Sequence, residues 1–329
     1  VIRPSKTYPF VLWLTTNMAV LSLERVPAPA KLNLFLHIVG RRSDGYHLLQ
    51  SVFTFVDLCD YLDFQRRDDG VITRAGQSLA GLSEDDDLII QAARLLQRAT
   101  GTHFGATIAC DKRIPAGAGL GGGSSNAATT LIALNRLWQT GLSRTQLMQL
   151  GVQLGADVPV FIFGQSAFAQ GIGEQLQAIT LPNLSYLLIK PDVFVSTPAI
   201  FQDQGLTRDS KPVIITDFTD SLISIDPQKN HSVLFFGENV LETVACKQAP
   251  EIKTLLRGLR KNNLHARMTG SGSCVFVGFE DKEQATRQNS YLSGIILHGQ
   301  PTMQMPPDRW VVNGLNTHPL YTWLKEFGD

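Results

Sequence analysis

Hydrophobic and polar residues first alternate regularly from Glu24 onward. In Lys31-Leu-Asn33-Leu-Phe35-Leu-His37-Ile38, a period of two puts Leu32, Leu34, Leu36 and Ile38 on one face of a strand and Lys31, Asn33, Phe35 and His37 on the other. The aliphatic face is predicted to meet the core, and a lysine and an asparagine on the opposite face are by default solvated. Ser43-Asp44-Gly45 is a hairpin signal; it leads into a second strand that begins at Tyr46-His47 and stays largely apolar to Phe64 before the charged turn of residues 66–70. A helix is predicted over residues 88–96, with acidic residues 84–87 at the end where the helix dipole favours them. A strand follows over 103–111. Ser124-Ser125-Asn126 then opens a helix whose Ala128, Leu131, Ile132, Leu134 and Trp138 share one side. Ser143 caps a further helix over 144–154. Pro159 cannot continue a helix, so the apolar residues 160–163 are predicted to form a strand. Residues 167–174 have the pattern of a hairpin, 202–230 are weakly patterned, 239–249 and 250–260 are helical, and 268–277 turn into a buried strand. A Pro- and Met-rich stretch, 300–308, is predicted to be a surface loop before the strand 310–314.

Composition narrows the class. The chain has 329 residues, 43% of them hydrophobic and 18% charged, which suffices for about two globular domains with large cores. Lys and Arg total 29 against 29 Asp and Glu, so overall charge gives no reason to expect a nucleic-acid or membrane partner. Cys59, Cys110, Cys246 and Cys274 are scattered, with no C-x-x-C and no metal-like pairing with histidines, so they are expected to be reduced residues of a cytoplasmic protein, and no metal site built from protein ligands is predicted. No apolar run approaches the roughly 18 residues of a membrane span. The sequence begins with Val1, and Met18 is a candidate start. Ala28-Pro-Ala30 superficially offers a signal-peptide cleavage site, but cutting there would leave Lys31 as the first residue; residues 1–20 are therefore expected to be a disordered or non-native tail.

The chemistry centres on Pro115-Ala-Gly117-Ala-Gly119-Leu120-Gly121-Gly122-Gly123-Ser124-Ser125-Asn126, a glycine-rich loop feeding a helix N-terminus. Such a junction presents unpaired N–H groups and the positive end of the helix dipole, and glycines let backbone approach a phosphate without a Cβ in the way. Ser124 and Ser125 add hydroxyls for a phosphate oxygen or a phosphate-bound Mg²⁺. One glycine and one serine would satisfy an ordinary cap, so five glycines point to a bound polyphosphate. The loop has no lysine, which excludes a Walker A motif. Gly117-Ala-Gly119-Leu-Gly121-Gly122 fits G-x-G-x-x-G, but that match alone is weak.

The Ser-Ser-Asn extension is more specific. The loop resembles that of the GHMP kinase superfamily, and its long form resembles the branch whose acceptor is a cytidylyl sugar alcohol on the route to isoprenoid precursors. The resemblance covers roughly residues 24–320 through several motifs in order. It implies that residues 115, 117 and 119–125 (Pro115, Gly117, Gly119, Leu120, Gly121, Gly122, Gly123, Ser124, Ser125) hold ATP with Mg²⁺. Pro29-Ala-Lys31-Leu-Asn33 is similar to the superfamily's first motif, which places Lys31 near the transferred phosphoryl group and Asn33 beside the acceptor. Gly155-Ala-Asp157-Val-Pro159 matches the segment whose aspartate accepts the proton of the acceptor hydroxyl. Asp44-Gly-Tyr46-His47 and Thr197-Pro-Ala-Ile-Phe201 resemble the elements that hold cytosine, with Tyr46 and Phe201 stacking and His47 bonding its polar edge. Thr269-Gly-Ser-Gly272 is similar to the third motif, at the phosphoryl-transfer site. Relatives commonly carry Asn-Leu where this chain has Asp87-Leu88, so no adenine contact is carried onto Asp87.

The implied fold is α+β in two lobes: an N-terminal ATP-binding and catalytic domain, residues 21–180, similar to the second domain of ribosomal protein S5, and a ferredoxin-like substrate domain, 181–329. The protein would be a monomer or weak homodimer. Two rivals remain at this stage. A kinase for homoserine or a mevalonate derivative would have no nucleobase for Tyr46 and Phe201 to stack on, and a non-catalytic ATP sensor would leave Lys31 and Asp157 idle.

Overall fold

The computed structural model describes residues 20–76, 85–223, 236–296 and 307–329. The expected tail at 1–20 therefore lies outside the described residues except for Val20, as does most of the predicted loop at 300–308. The frame is an antiparallel pair, β1 (Ser22–Arg41) and β2 (His47–Arg67), joined at the predicted hairpin, where the Arg42 N–H donates to the Tyr46 carbonyl at 2.7 Å. Next come β3 (Ile72–Arg74), α1 (Leu88–Thr100), β4 (Gly105–Asp111), α2 (Gly122–Leu137), α3 (Arg144–Leu154), α4 (Val158–Phe163), β5 (Ala167–Gln170) and β6 (Gln175–Ala178). The second half contributes β7 (Ser185–Lys190), α5 (Thr197–Gln202), α6 (Ile215–Ile223), α7 (Leu241–Gln248), α8 (Pro250–Lys261), β8 (Arg267–Met268), β9 (Val275–Phe279), α9 (Lys282–Ile296), β10 (Asp308–Leu315) and α10 (Tyr321–Glu326). Strands run in the order β3-β4-β2-β10-β7-β9-β8, with β1 and β5 also on β2 and β6 on β5. This is the expected α+β architecture. β10 joins the two halves, pairing with β7 from Asp308 to Asn313 and with β2 through Gly314 and Leu315.

Among the described residues, three apolar clusters form the core. One packs α1, α2, α4 and α10 against β1, β2 and β4, a second packs α7, α8 and α9 on β7 and β9, and the third forms the seam beneath the glycine loop, where Ile114, Ala118 and Leu120 meet Leu32, Leu34 and Phe276. Twelve of the sixteen residues of α2 are buried, so its small Ala, Thr and Ser side chains serve close packing on every side, where the sequence predicts one apolar face. β1 also departs from simple alternation: residues 28–38 are buried on both faces, with a register shift between Asn33 and Phe35. Ala28 and Ala30 sit inside this strand.

The predicted strand at 160–163 is instead the helix α4. Pro159 falls in its first turn, where no backbone N–H is needed, and Gly164 ends it with a left-handed φ of 76°. A short, wholly apolar run carries no period to separate helix from buried strand. The capping signals held: the Asp87 side chain accepts from the Ile89 N–H at 2.9 Å, and Ser143 and Gln146 form a reciprocal capping box. Among the described residues, no helix is long and apolar enough to cross a membrane.

Candidate active site

The glycine loop is held from three sides. Asp60, fully buried in β2, accepts from the Arg113 and Ile114 N–H groups at 2.7 Å each and from Lys112 Nζ at 2.5 Å, which fixes the loop's entry. The Lys31 N–H donates to the Leu120 carbonyl at 3.0 Å, and the Cys274 N–H to the Ala118 carbonyl at 3.2 Å. α2 then starts at Gly122, with Gly121 as its N-cap at φ 71° and no side-chain cap bond. Neither serine acts as the cap; Ser124 and Ser125 lie in the first turn, leaving its amides without a side-chain partner. The Ser125 hydroxyl is buried with no hydrogen-bond partner.

Below the loop opens a cavity of about 720 Å³, within the range of small-ligand sites. Lys31, Asn33, Asp157, Thr197 and Phe201 line it together with the whole loop from Pro115 to Ser124. Lys31 is only 2% exposed, so its ammonium needs close partners. Asn33 Oδ1 accepts from Nζ at 2.5 Å, Asp157 Oδ2 lies 3.3 Å away, and the Phe53 ring centroid is 5.3 Å off. Asp157 stays about a third exposed, open to the cavity. Asn33 is oriented in turn, donating through Nδ2 to Ser51 Oγ at 2.8 Å and through its backbone N–H to Thr269 Oγ1 at 2.9 Å.

A second glycine loop, residues 269–272, packs backbone to backbone on the first. A Cβ on Gly119, whose φ is +73°, would stand 2.2 Å from the Thr269 carbonyl oxygen. Asn239 clamps the second loop by donating to the Met268 and Gly270 carbonyls at 2.8 Å each, and Ser271 Oγ lies 2.6 Å from Thr197 Oγ1. Gly119→Ala is therefore expected to lower kcat/KM for ATP about a hundredfold by displacing the loop, with a left-handed backbone penalty of about 1–2 kcal/mol on stability. Gly258→Ala, in open space on α8, is the control and should leave both unchanged or add slight stability. Matching kinetics and melting curves for the two variants would refute the close-approach explanation.

Tyr46, His47 and Ser125 do not line the cavity. Tyr46 is 60% exposed at the β1–β2 turn. His47 is half-buried, and its ring lies 5.2 Å from that of Phe201, which does reach the cavity wall. At the opposite end, Arg74 donates to Asp87 at 2.8 Å while Asp87 also caps α1, so this aspartate is held as an ion-paired cap. Sequence reasoning missed Asp60, Asn239 and Arg208, which bonds His47. Asp60 is one of three aspartates in the otherwise largely apolar residues 52–64, beside Asp57 and Asp63, so the sequence did not single it out, and Asn239 and Arg208 gave no signal either.

The fold and this arrangement define a phosphotransferase of the GHMP class. The sequence profile described as the GHMP kinases N terminal domain matches residues 87–165, and that described as GHMP kinases C terminal matches 228–293. The chain is 53% identical over 308 residues to 4-diphosphocytidyl-2-C-methyl-D-erythritol kinase of Bordetella parapertussis, covering 92% of this chain and 99% of the relative. It is 51% identical to the protein of the same name from Ralstonia pickettii, over 92% and 98% of the two chains. A crystal structure of 4-(cytidine 5'-diphospho)-2C-methyl-D-erythritol kinase superposes with a TM-score of 0.71 at 32% identity, over 89% of this chain and 99% of the other. Homoserine kinase from Cytophaga hutchinsonii, 16% identical, shares the fold with a TM-score of 0.66 over 94% and 99%. The chain belongs to the 4-diphosphocytidyl-2-C-methyl-D-erythritol kinase family of the GHMP kinases. It is accordingly an ATP-dependent kinase of small molecules.

Proposed function

We propose that the protein transfers a phosphoryl group from ATP to the 2-hydroxyl of 4-diphosphocytidyl-2-C-methyl-D-erythritol, in the methylerythritol phosphate route to isoprenoid precursors. The observation that carries this reading is the Lys31–Asp157 pair, buried on one side, open on the other, and facing the cavity under the glycine loop. A phosphoryl transfer needs positioned phosphates, neutralised charge and a group that guides the acceptor proton. The loop from Gly119 to Ser125 supplies backbone N–H groups to the triphosphate, and the Ser124 hydroxyl, which lines the cavity, adds a polar side chain there. Lys31 faces the charge that develops on the moving group, and Asp157 takes the proton from the acceptor oxygen. Mg²⁺ would neutralise phosphate charge and keep mostly phosphate and water ligands, with the cavity-lining Ser124 hydroxyl as the protein oxygen that would help to hold it.

Tyr46 and Phe201 would stack on cytosine, with Asn33 and Thr197 facing the sugar alcohol. The four thiols are unpaired, which suits a cytoplasmic, reducing setting. The protein would act as a monomer or weak homodimer. The direct test is ATP consumption with the cytidylyl substrate beside homoserine, mevalonate and no acceptor: turnover with the first alone is expected, and ATP binding without turnover would instead indicate a sensor. Base stacking is worth about 1–3 kcal/mol, so Tyr46→Ala and Phe201→Ala should each raise KM for the cytidylyl substrate roughly tenfold or more while leaving KM for ATP alone. Unchanged affinity in both variants would count against the cytosine clamp.

A further inference from the structure

Arg208 lies outside every motif that the function draws on, yet its guanidinium ties the base-binding elements together. Nη2 donates to the Phe201 carbonyl at 3.0 Å and the Asp203 carbonyl at 2.8 Å, Nη1 to the Leu206 carbonyl at 3.1 Å, and Nε to His47 Nε2 at 3.1 Å. One cation thus fixes the end of α5, which carries Phe201, and the imidazole packed on Phe201.

The bond to His47 has a chemical consequence. A guanidinium only donates, so His47 Nε2 must present its lone pair, and in the neutral ring the proton then resides on Nδ1. Burial, then the positive charges of Arg208 and Arg41, hold the imidazole below its usual pKa, which keeps it neutral at physiological pH. His47 Nδ1 makes no hydrogen bond among the described residues, so the ring offers one N–H, directed away from Arg208. A single fixed donor discriminates between pyrimidines: N3 of cytosine accepts a hydrogen bond, whereas N3 of uracil carries a hydrogen and can only donate.

We propose that Arg208 is a specificity-determining positioning residue, which locks His47 in the Nδ1–H tautomer so that the site takes a cytosine and refuses a uracil. This rests on the cytidylyl reading of the substrate. A site built to donate to a ring nitrogen leaves two donors opposed when the wrong base enters, and such mismatches are rejected more strongly than a missing apolar contact.

The experiment compares wild type with Arg208→Met, using 4-diphosphocytidyl-2-C-methyl-D-erythritol and its uridylyl analogue as acceptors, CDP and UDP as binding probes, and ¹⁵N NMR of the histidine ring, assigned with His47→Asn. Wild type should prefer the cytidylyl compound at least about tenfold in kcat/KM and show the proton of His47 on Nδ1. In Arg208→Met the imidazole can carry its proton on either nitrogen. The cytidylyl KM should then rise about tenfold, the preference should collapse toward unity, and the ¹⁵N pattern should shift toward a mixture of tautomers, with KM for ATP unchanged. A role confined to holding α5 would weaken both acceptors equally and preserve the tautomer, and that result would overturn the proposal, as would a wild-type ring protonated on Nε2. Equal turnover of both acceptors by wild type would leave the kinase reading standing and remove this one. Selective CDP binding without turnover of the cytidylyl acceptor would do the reverse.

Discussion

Asp157→Asn is expected to lower kcat by about 10²–10⁴-fold, the usual worth of a positioned general base, with small changes in KM for ATP and acceptor. The substitution keeps the shape of the side chain and removes its negative charge together with its capacity to take a proton. Asp157 is about a third exposed, so water partly replaces the lost charge beside Lys31 and the fold should survive. Lys31→Ala should cost about 10²–10³-fold in kcat, comparable to removing one preorganised donor from a transition state. The two groups lie 3.3 Å apart in one cavity wall and act as a unit, so the double variant should be little worse than the more damaged single. Steady-state kinetics of the three variants at saturating ATP check this. Near-normal turnover in both singles would show that the pair is not the catalytic centre, and losses that multiply in the double would show that the two groups act independently and not as a unit.

Asp60→Ala should have the largest effect on stability. Its carboxylate is fully buried and receives three donors, two of them main-chain N–H groups at the entrance to the glycine loop. Removing it strands those two amides and leaves Lys112, which is about a fifth exposed, without its partner. Breaking a buried pair from one side typically costs about 3–5 kcal/mol, and partial hydration of Lys112 favours the lower end. Asp60→Asn should recover little, because the amide offers one acceptor oxygen where the carboxylate offers two and turns an NH₂ group toward donors. Urea denaturation measures the loss. KM for ATP should rise in whatever fraction remains folded, since the loop would lose its anchor. A loss below about 1 kcal/mol, the scale of a single net hydrogen bond, would mean that the entrance is held by packing instead.

What the sequence revealed and concealed divides by range. Caps and turns are local: Asp87 and Ser143 were legible because each bonds an amide within three residues. The glycine loop was legible because its chemistry lies in consecutive backbone. The roles of Asp60, Asn239 and Arg208 depend on partners 54, 31 and 161 residues away, and no pattern along the chain encodes those pairings. α4 was misread because six apolar residues have no periodicity when every side is buried. Lys31 and Asn33 showed the reverse conflict: alternation suggested a solvated face, while motif order pointed to chemistry, and burial of both at the cavity wall favours the latter.

The strand β10 and the helix behind it bear on how the polypeptide matures. Domains usually fold in the order in which they are synthesised, at about 5–20 residues per second. Here that order is broken: Thr54 bonds the Leu315 carbonyl across 261 residues, and Trp323 and Leu324 of α10 close the cluster that contains α1 and α2. The N-terminal half thus emerges from the ribosome with an open apolar wall, and at those rates it waits on the order of ten seconds for its own closing piece. A nascent protein in that condition is a natural client for chaperones, and premature termination shortly before residue 320 would disable the half that was made first.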